Sequence, residues 1–487
     1  RRVHGDQSFV FFTAILCLSL TVFFMAIVVH LLLLLLLSAI SKAELSPKVG
    51  VNYGQLGDRL PSPSLSIHLV RSRLKASQVK IYDANPRILT ALVNSSLIVS
   101  VMIPNQFIPN ISLSQSFSNQ WIKSNIFPFY GTVLIRYLLV GNEVLTSPET
   151  ATWPHLVPAM RRVKKSLNRF KLFKIKVGTP SAMDVLQASF PPSKGAFRRD
   201  IAEAVVKPML QFLDSSKSFF FLDVYPYFPW AQLPDQIPLP YALMEDSNVT
   251  YTDPESGLKY TNLLDQMLDA VHFALRKLGY PKVRILIAET GWPNGGDVDE
   301  IGANVRNAAT YNRNFAKRFT RIPSIGTPAM PGAVVPAFVF SLFNENKKPG
   351  PGTERNFGIL KSNGVSVYQV DLSGGTLEYS DVLPVSKNDE PYKGKAWCVV
   401  AKGVRDMAAI KNALSFACAE GEKICGEIQP GRECYRPDSL IWHASYAFSS
   451  YWSKKRSVGG TCYFGGIATK TTENPSFGNC TFPNVLM

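Results

Sequence analysis

Two glutamates stand at the ends of segments that have the pattern of buried strands. Glu143 lies near the end of VLIRYLLVGNEV, and Glu289 lies near the end of VRILIAETGW. A carboxylate in such a place is costly unless pairing or chemistry uses it, and a single one would most simply pair with a lysine or arginine. Two carboxylates on one rim suit glycoside hydrolysis, in which one donates a proton to the leaving oxygen and the other attacks the anomeric carbon. Neither role needs a metal, and we predict no metal and no cofactor.

Aromatic residues follow several of the same segments. Flat rings at strand ends can stack on the faces of sugars while hydroxyl groups hydrogen-bond to them, although some of these rings will pack the rim instead. The residues are Tyr53, Tyr82, Tyr225, Tyr227, Phe228, Trp230, Trp292 and Phe343. Tyr225 and Trp292 flank the inferred centre and are the strongest candidates. We also predict substrate contacts for Tyr53, Phe343 and Asn142.

Eight apolar, β-branched segments recur between Val49 and Glu345 and alternate with longer polar segments that suit helices. They are VGVNYG, SQVKIYDA, LIVSVMIP, VLIRYLLVGNEV, FKIKVGTP, FFFLDVYPYF, VRILIAETGW and VVPAFVFSLFNEN. Their number and spacing predict an α/β fold, a (β/α)8 or TIM barrel over residues 44 to 370, with catalytic groups at the C-terminal ends of the strands. A doubly wound open sheet is the rival fold, but no glycine-rich phosphate loop follows the first segment.

The N-terminal region has the composition of a targeting segment. The chain of 487 residues begins with Arg1, and Met25 is followed by AIVVHLLLLLLLSAISKA. We interpret residues 1 to 24 as upstream translation and residues 25 to 43 as a signal peptide cleaved after Ala43. An uncleaved N-terminal anchor is the alternative. The expected product is a secreted protein with no stable membrane anchor.

Six of the seven cysteines fall near the C-terminus. They are Cys398, Cys418, Cys425, Cys434, Cys462 and Cys480. An even set in a short region indicates three disulfides and an oxidising compartment; a zinc site is the competing interpretation, but the intervals lack the paired close spacing of a zinc ribbon. We predict a small disulfide-rich domain over residues 395 to 483. A linker is expected at 371 to 394, where glycine, serine and proline occur without a sustained period.

The net charge of +16 is spread along the chain rather than clustered. A solvated basic surface accounts for it, and because no nucleic-acid recognition motif is present we expect no nucleic-acid partner. In a secreted protein this charge would favour an acidic matrix such as a pectin-rich wall. Asn94, Asn110 and Asn248 each begin an Asn-X-Ser/Thr triplet and are candidate glycosylation sites. We expect the protein to be a monomer.

Seven stretches in order resemble the plant β-1,3-glucanases of glycoside hydrolase family 17, over about residues 48 to 370. They are VGVNYGQLGDRLPSPS, KIYDANPRIL, LVGNEV, SAMDVLQASFPPSKGAF, LDVYPYF, AETGWPNGGD and FNENKKPGPGTERNFGIL. The resemblance implies that Glu143 is the general acid/base and Glu289 the nucleophile of a retaining endo-hydrolase acting on β-1,3-glucan of the callose type.

The same resemblance bears on residues around the two glutamates. It implies that Glu345, Lys348 and Glu354 form a supporting cluster near the cleft, and the alternative is a salt-bridged loop that only shapes the rim. The chain also departs from the family in one place. Where many members have Asn-Val-Tyr-Pro-Tyr, this sequence has Asp223 before Val224, so the sugar contact expected of the asparagine falls to an aspartate.

The C-terminal region resembles the six-cysteine β-1,3-glucan-binding domain of carbohydrate-binding module family 43. AWCVV, CYRPDSLIWHASYAFSSYW and GTCYFGGIATKTTENPSFGNC carry the likeness. It implies the pairs Cys398–Cys462, Cys418–Cys425 and Cys434–Cys480. Five aromatic residues are candidates for a glucan platform, whereas Trp397 and Phe448 are expected in the core. The five are Tyr446, Tyr451, Trp452, Tyr463 and Phe464.

Two other functions remain open. One is a glucan-binding wall protein whose barrel does not turn over. The other is a transglucosylase on the same fold, in which a sugar hydroxyl replaces water in the second step. In each case β-1,3-glucan is the expected partner.

Overall fold

The computed structural model describes residues 25, 27 to 30, 48 to 246 and 248 to 487. The predicted upstream segment and most of the predicted signal peptide therefore lie outside the described residues. Among the residues that are described, no helix is both long and apolar enough to cross a bilayer. Residues 48 to 487 form one compact unit.

The described residues build a parallel sheet of nine strands that curves into a nearly closed barrel. The strands are β1 Val49–Tyr53, β2 Gln78–Ile81, β3 Ile98–Ile103, β4 Leu134–Val140, β5 Lys176–Gly178, β6 Pro180–Ala182, β7 Phe219–Asp223, β8 Arg284–Thr290 and β9 Ala337–Val339. Their order in the sheet is β5-β4-β3-β2-β1-β9-β8-β7-β6. The two strands at the ends of this order are separated by Thr179 alone, and one pairs with β4 while the other pairs with β7. The first and last strands of the sheet are therefore joined directly through Thr179, and the sheet closes on itself at this point. This arrangement confirms the predicted barrel.

Helices surround the sheet and connect its strands. They are α1 Pro63–Ser72, α2 Pro86–Ala91, α3 Ile108–Leu113, α4 Gln115–Asn125, α5 Trp153–Arg169, α6 Arg199–Ile201, a π-helical turn Ala202–Val206, α7 Lys207–Ser215, α8 Tyr227–Gln232, α9 Leu239–Ala242, α10 Leu263–Lys277 and α11 Val305–Phe319. Asparagine side chains start two of the longest. Asn262 accepts from the Asp265 backbone N–H and Asn304 from that of Asn307, each at 2.9 Å, which satisfies donors that have no partner within the first turn.

Apolar side chains fill the interior of the barrel. Those that pack together inside it are Met102, Tyr137, Leu139, Phe219, Phe221, Leu286, Ala288 and Phe338. A second, larger apolar layer lies between the strands and the helices, as the fold requires. Because the strands are anchored on both faces, the residues at their C-terminal ends are held in fixed positions.

The predicted linker, residues 371 to 394, has no regular secondary structure but lies against the barrel. Arg313 on α11 forms an ion pair with Asp381. Asn304 donates hydrogen bonds of 2.9 Å to the side chains of Asn388 and Asp389. The segment is therefore a strap along α11 rather than a free spacer, a property that local composition does not reveal.

The C-terminal region forms a small domain around a three-stranded antiparallel sheet. Its elements are β10 Lys395–Val400, α12 Met407–Ala419, α13 Glu422–Cys425, α14 Leu440–Lys455, β11 Ala468–Thr471 and β12 Val485–Leu486, with β10 at the centre of the sheet. The disulfides are Cys398–Cys462, Cys418–Cys425 and Cys434–Cys480, the pairs that the resemblance implies. Trp397 and Phe448 are buried, as expected. Tyr446 and Trp452 are buried too, so these two rings belong to the core and not to a surface platform.

This domain contacts the barrel at the loop that follows β8. Lys470 on β11 reaches Asp299 at 2.7 Å and Asp297 at 3.5 Å. Val298 packs against the core of the small domain. The Arg355 guanidinium lies 5.8 Å from the centre of the Tyr463 ring. The two domains are therefore joined by direct contacts in addition to the strap.

Candidate active site

A cleft of about 1440 Å³ lies at the C-terminal ends of the barrel strands, and both predicted catalytic glutamates line it. Several other predicted residues line it as well. They are Tyr53, Asn142, Asp223, Tyr225, Phe228, Glu345, Lys348 and Glu354. The parallel strands explain this convergence, since all of them present their C-terminal ends on one side of the sheet.

Glu289 is held by three hydrogen bonds. Its Oε1 accepts from the Lys80 ammonium at 2.7 Å and from the Tyr82 hydroxyl at 2.6 Å, and its Oε2 accepts from the Tyr225 hydroxyl at 2.7 Å. Burial alone would raise the pKa of this carboxyl group, but the Lys80 charge and the three hydrogen bonds outweigh it and lower the pKa. Glu289 is therefore kept ionised in a fixed orientation.

Lys80 was missed by the sequence reasoning although a signal for it exists. It stands in the β2 segment Gln78–Ile81 between two apolar residues and is fully buried. A lysine in a buried strand needs a partner, by the same argument that singled out Glu289. Asn52 on β1 is a second missed residue. It supports the site by donating to the Tyr82 hydroxyl and the Ala288 carbonyl, both at 3.0 Å.

Glu143 follows β4 with its backbone in the left-handed region, at φ 47°. Its N–H donates to the Pro180 carbonyl at 3.2 Å. The preceding residue, Asn142, is held by Asn105, which accepts from its N–H at 2.7 Å and donates to its carbonyl at 3.0 Å. Burial and the negative charge of Glu289 raise the pKa of the Glu143 carboxyl to about 7. This group therefore keeps its proton at a pH where Glu289 is ionised.

Asp223 lies beside these two groups at the end of β7. It is paired with Glu289 of β8 in the register of the sheet, and its side chain is buried. Burial and the Glu289 charge raise the pKa of its carboxyl group well above the usual value. The cleft therefore holds a third carboxyl group near the predicted pair.

The loop after β9 supplies the cluster that the resemblance implied. Lys348 forms an ion pair with Glu354 at 2.8 Å, and its ammonium lies 4.4 Å from the centre of the Phe340 ring. Glu345 accepts from the Leu56 N–H at 2.8 Å. A Cβ atom at Gly54 would clash with the Glu345 carboxylate, so only glycine permits this approach. The loop is salt-bridged, as one alternative expected, and its three charged side chains also line the cleft, as the other expected.

Trp292 and Phe343 are not in the cleft, and the prediction that they contact substrate is wrong. Both side chains are fully buried. The Trp292 indole N–H donates to the Gly302 carbonyl at 2.8 Å. Its ring packs against Tyr227 and Trp230, which are buried as well. These rings therefore form a cluster in the core and not a surface that faces substrate.

Tyr53 lines the cleft, and its contact with substrate stays a prediction. Its hydroxyl donates to Ser66 on α1 at 3.1 Å, and its ring packs edge-on against Phe343 at 5.9 Å between centroids. One end of the cleft also has an apolar wall that the sequence did not reveal. Its residues are Phe190, Leu233, Ile237, Val249, Tyr251 and Met267.

The small domain has a recess of its own. Phe416, Tyr451 and Phe464 surround it, with ring centroids 5.2 to 6.3 Å apart. Asn412 and Thr461 add polar groups. Tyr451 and Phe464 were predicted as platform residues, whereas Phe416, half-exposed on α12, was not.

Two further sets of predicted sites can be placed on the structure. Asn94, Asn110 and Asn248 are all exposed. Within the described part of the chain, no group of three or more histidine, cysteine, aspartate or glutamate side chains is arranged to hold a metal ion.

Comparison with known proteins gives a consistent result for both domains. Residues 49 to 372 match the model of the glycosyl hydrolases of family 17, and residues 396 to 469 match that of the X8 domain. The chain is 48% identical over 445 residues to the probable glucan endo-1,3-beta-glucosidase A6 of Arabidopsis thaliana, covering 91% of this chain and 92% of that protein. It is 38% identical over 469 residues to glucan endo-1,3-beta-glucosidase 7 of the same plant, covering 96% and 89%.

A solved structure agrees with these relatives. CJP38, described as a beta-1,3-glucanase and allergen of Cryptomeria japonica pollen, superposes with a TM-score of 0.63 at 38% identity. The match covers 67% of this chain and 99% of CJP38.

Proposed function

Because the chain belongs to the glycosyl hydrolases of family 17, we propose that it is an endo-hydrolase of β-1,3-glucan, callose being the plant substrate, and that it retains the anomeric configuration. Glu289 is the nucleophile and Glu143 the general acid/base. The observation that carries this assignment is the opposite environment of the two carboxyl groups. Glu289 is kept ionised by a buried lysine and two tyrosine hydroxyls, and Glu143 is kept protonated by burial and a neighbouring negative charge.

The first step forms a covalent bond to the enzyme. The Glu289 carboxylate attacks the anomeric carbon while Glu143 gives its proton to the leaving glycosidic oxygen. Lys80, Tyr82 and Tyr225 keep the carboxylate oriented toward the sugar. The products of this step are a free sugar chain, a glucosyl ester on Glu289 and an ionised Glu143.

The second step returns both groups to their starting states. The ester carries no negative charge, so one of the causes that raised the pKa of Glu143 is absent and its carboxylate can act as a base. Glu143 takes a proton from water, the hydroxide attacks the anomeric carbon, and Glu289 leaves as a carboxylate. Two displacements at the same carbon restore the β configuration.

Purified protein acting on linear β-1,3-glucan tests this proposal. Proton NMR of fresh products should show the β-anomer first, and Glu289→Ala should lose turnover while still binding substrate. If the α-anomer appears first, the site is inverting and Glu289 is not the nucleophile. Products longer than the substrate would indicate a transglucosylase. Binding without release of reducing ends would indicate a glucan-binding wall protein.

The X8 domain is proposed to hold the polymer through the recess formed by Phe416, Tyr451 and Phe464. Half-exposed rings beside polar groups suit stacking on sugar faces. In the full-length protein, Phe416→Ala should weaken retention on insoluble β-1,3-glucan while leaving hydrolysis of short oligosaccharides unchanged. Phe477→Ala is the matched control, since Phe477 is an exposed ring of the same domain outside the recess. Equal retention of both variants would exclude the recess.

The predicted signal peptide supports secretion to the cell wall, and we propose that the secreted protein is a monomer. The proposed organisation is a hydrolase domain at 44 to 370, the strap at 371 to 394 and the X8 domain at 395 to 483. N-terminal sequencing of the mature protein should begin at Glu44, and a native mass measurement should give one chain. Enzymatic removal of N-linked glycans should reduce the mass if Asn94, Asn110 or Asn248 is modified.

A further inference from the structure

Asp223 occupies a place in the cleft that the mechanism above does not use. It ends β7, and the register of the sheet sets it beside Glu289 of β8. The Val224 N–H that follows it donates to the Glu289 carbonyl at 2.9 Å, which fixes the backbone at this point. The Asp223 side chain is 1% exposed and nevertheless lines the cleft. It is therefore shielded from bulk water but adjacent to the place where substrate binds.

No described residue gives either carboxyl oxygen of Asp223 a hydrogen bond of ordinary geometry, and the side-chain contact that it has is with the Glu143 carboxyl, which raises its pKa further. The three donors next to it are directed at Glu289 instead. An ionised carboxylate that is buried without donors is one of the most unfavourable groups a protein can hold, whereas a protonated one needs far less compensation. The geometry thus provides for one anion on this side of the cleft, and Glu289 is that anion.

The net effect of burial and of the charges around Asp223 also favours its protonated form. The titratable groups that surround it and its two carboxyl neighbours are Lys80, Tyr82, Glu143, Asp184, Tyr225, Glu289, Glu345 and Lys348. Lys80 is paired with Glu289, and Lys348 is paired with Glu354. Burial and the charge of Glu289 together raise the pKa of Asp223 more than Lys80 lowers it.

We propose that Asp223 is a neutral carboxylic acid in the working enzyme and that its hydroxyl group donates a hydrogen bond to the sugar bound beside Glu289. Because no donor fixes either oxygen of Asp223, its proton can be directed at the bound sugar as well as at the neighbouring Glu143 carboxyl. Ionisation of Asp223 would remove this donor and add a second negative charge next to the nucleophile. The donor role rests on the proposed glucanase activity, but the protonation state does not, so the two can fail separately.

Asp223→Asn tests the state of the group, since an amide has the same shape, carries no charge and keeps a donor. The pKa of Glu143 is raised to about 7. At pH values below this, the kcat/KM of Asp223→Asn should stay within about threefold of that of the wild type. Asp223→Ala removes the donor and should lower kcat/KM by about tenfold or more. In the pH profile of kcat/KM, the fall in activity on the alkaline side should occur for Asp223→Asn at the same pH as for the wild type or at a higher pH. If Asp223 is instead an anion, the amide removes a charge that raises the pKa of Glu143, and this fall moves to lower pH, which overturns the proposal.

Infrared difference spectroscopy gives a readout that does not depend on activity. In Glu143→Gln protein near neutral pH, a carbonyl band of a protonated carboxyl group that shifts in D₂O should be present. The contribution of Asp223 to this band should be lost in Glu143→Gln/Asp223→Asn, whereas the band should be unchanged in Glu143→Gln/Asp184→Asn, because Asp184 is a partly exposed side chain of the same cleft. Absence of the band from Glu143→Gln protein overturns the proposal even if the Asp223 variants fail to fold. If these variants show the expected band pattern but the wild-type protein does not hydrolyse β-1,3-glucan, the proposed function is refuted and the protonation state of Asp223 stands.

Discussion

Replacing Glu143 by glutamine should stabilise the protein, and the gain should depend on pH. The folded protein raises the pKa of this carboxyl from 4.5 to about 7, because burial and the Glu289 charge disfavour its ionised form. Below pH 4.5 the group is protonated in both the folded and the unfolded chain, so it contributes no pH dependence. As the pH rises through 7, the folded chain must ionise a group that the unfolded chain ionises easily. At 1.36 kcal/mol per pKa unit, the free energy of unfolding falls by about 3 kcal/mol over this range.

Glu143→Gln abolishes this loss, since the amide does not titrate. The variant and the wild type should therefore have similar stability near pH 4.5, and the variant should be about 3 kcal/mol more stable well above pH 7. Thermal unfolding gives the melting temperatures of the variant and of the wild type at each pH. The variant should have the higher melting temperature well above pH 7, and the two should be similar near pH 4.5. Glu149→Gln is the control, because Glu149 is an exposed carboxylate of the same loop. A difference in melting temperature that is the same at both pH values would show that the folded protein does not hold Glu143 in its neutral form, and the assignment of this residue as the acid would lose its physical basis.

Three further outcomes are expected. Lys80→Met removes the buried charge that lowers the pKa of Glu289, so the acid limb of the activity profile should move to higher pH, and a limb that stays in place would contradict the role of this lysine. Trp292→Ala should lower the free energy of unfolding by about 3–5 kcal/mol, as expected for a buried ring; a raised KM with unchanged stability would instead restore Trp292 to the cleft. Lys470→Glu places a negative charge opposite Asp299 and should loosen the X8 domain from the barrel, which small-angle scattering would record as a larger radius of gyration than that of Lys470→Gln.

The sequence predicts the barrel because its strands are apolar on both faces and therefore stand out as short β-branched segments. It also predicts Glu143 and Glu289, since a carboxylate at the end of such a segment is conspicuous. The positions of the rings after the strands are less accessible to this reasoning. The register of the sheet shifts between Ile287 and Glu289, and after such an irregularity the spacing along the chain no longer tells which way Trp292 points.

Residues whose role depends on partners distant in sequence were the hardest to predict. Lys80 and Glu289 are 209 residues apart, and only the closed sheet brings them together. Composition predicts a linker at residues 371 to 394 but does not reveal its contacts with the barrel, because these are made by single side chains, such as Asp381 and Asn388, that follow no period. The hydrophobic periodicity of a sequence indicates which face of a helix or strand is buried. It does not predict the contacts of a segment that is held by individual polar side chains.

The left-handed backbone of Glu143 means that selection for stability and selection for catalysis act against each other at this position. A side chain with a Cβ atom in that conformation costs about 1–2 kcal/mol relative to glycine, which adopts it freely. Replacement of Glu143 by glycine would therefore relieve this strain and also remove the proposed acid. Libraries screened for heat resistance alone should be enriched in such inactive variants, so residue 143 would have to be held constant when this enzyme is evolved for industrial temperatures.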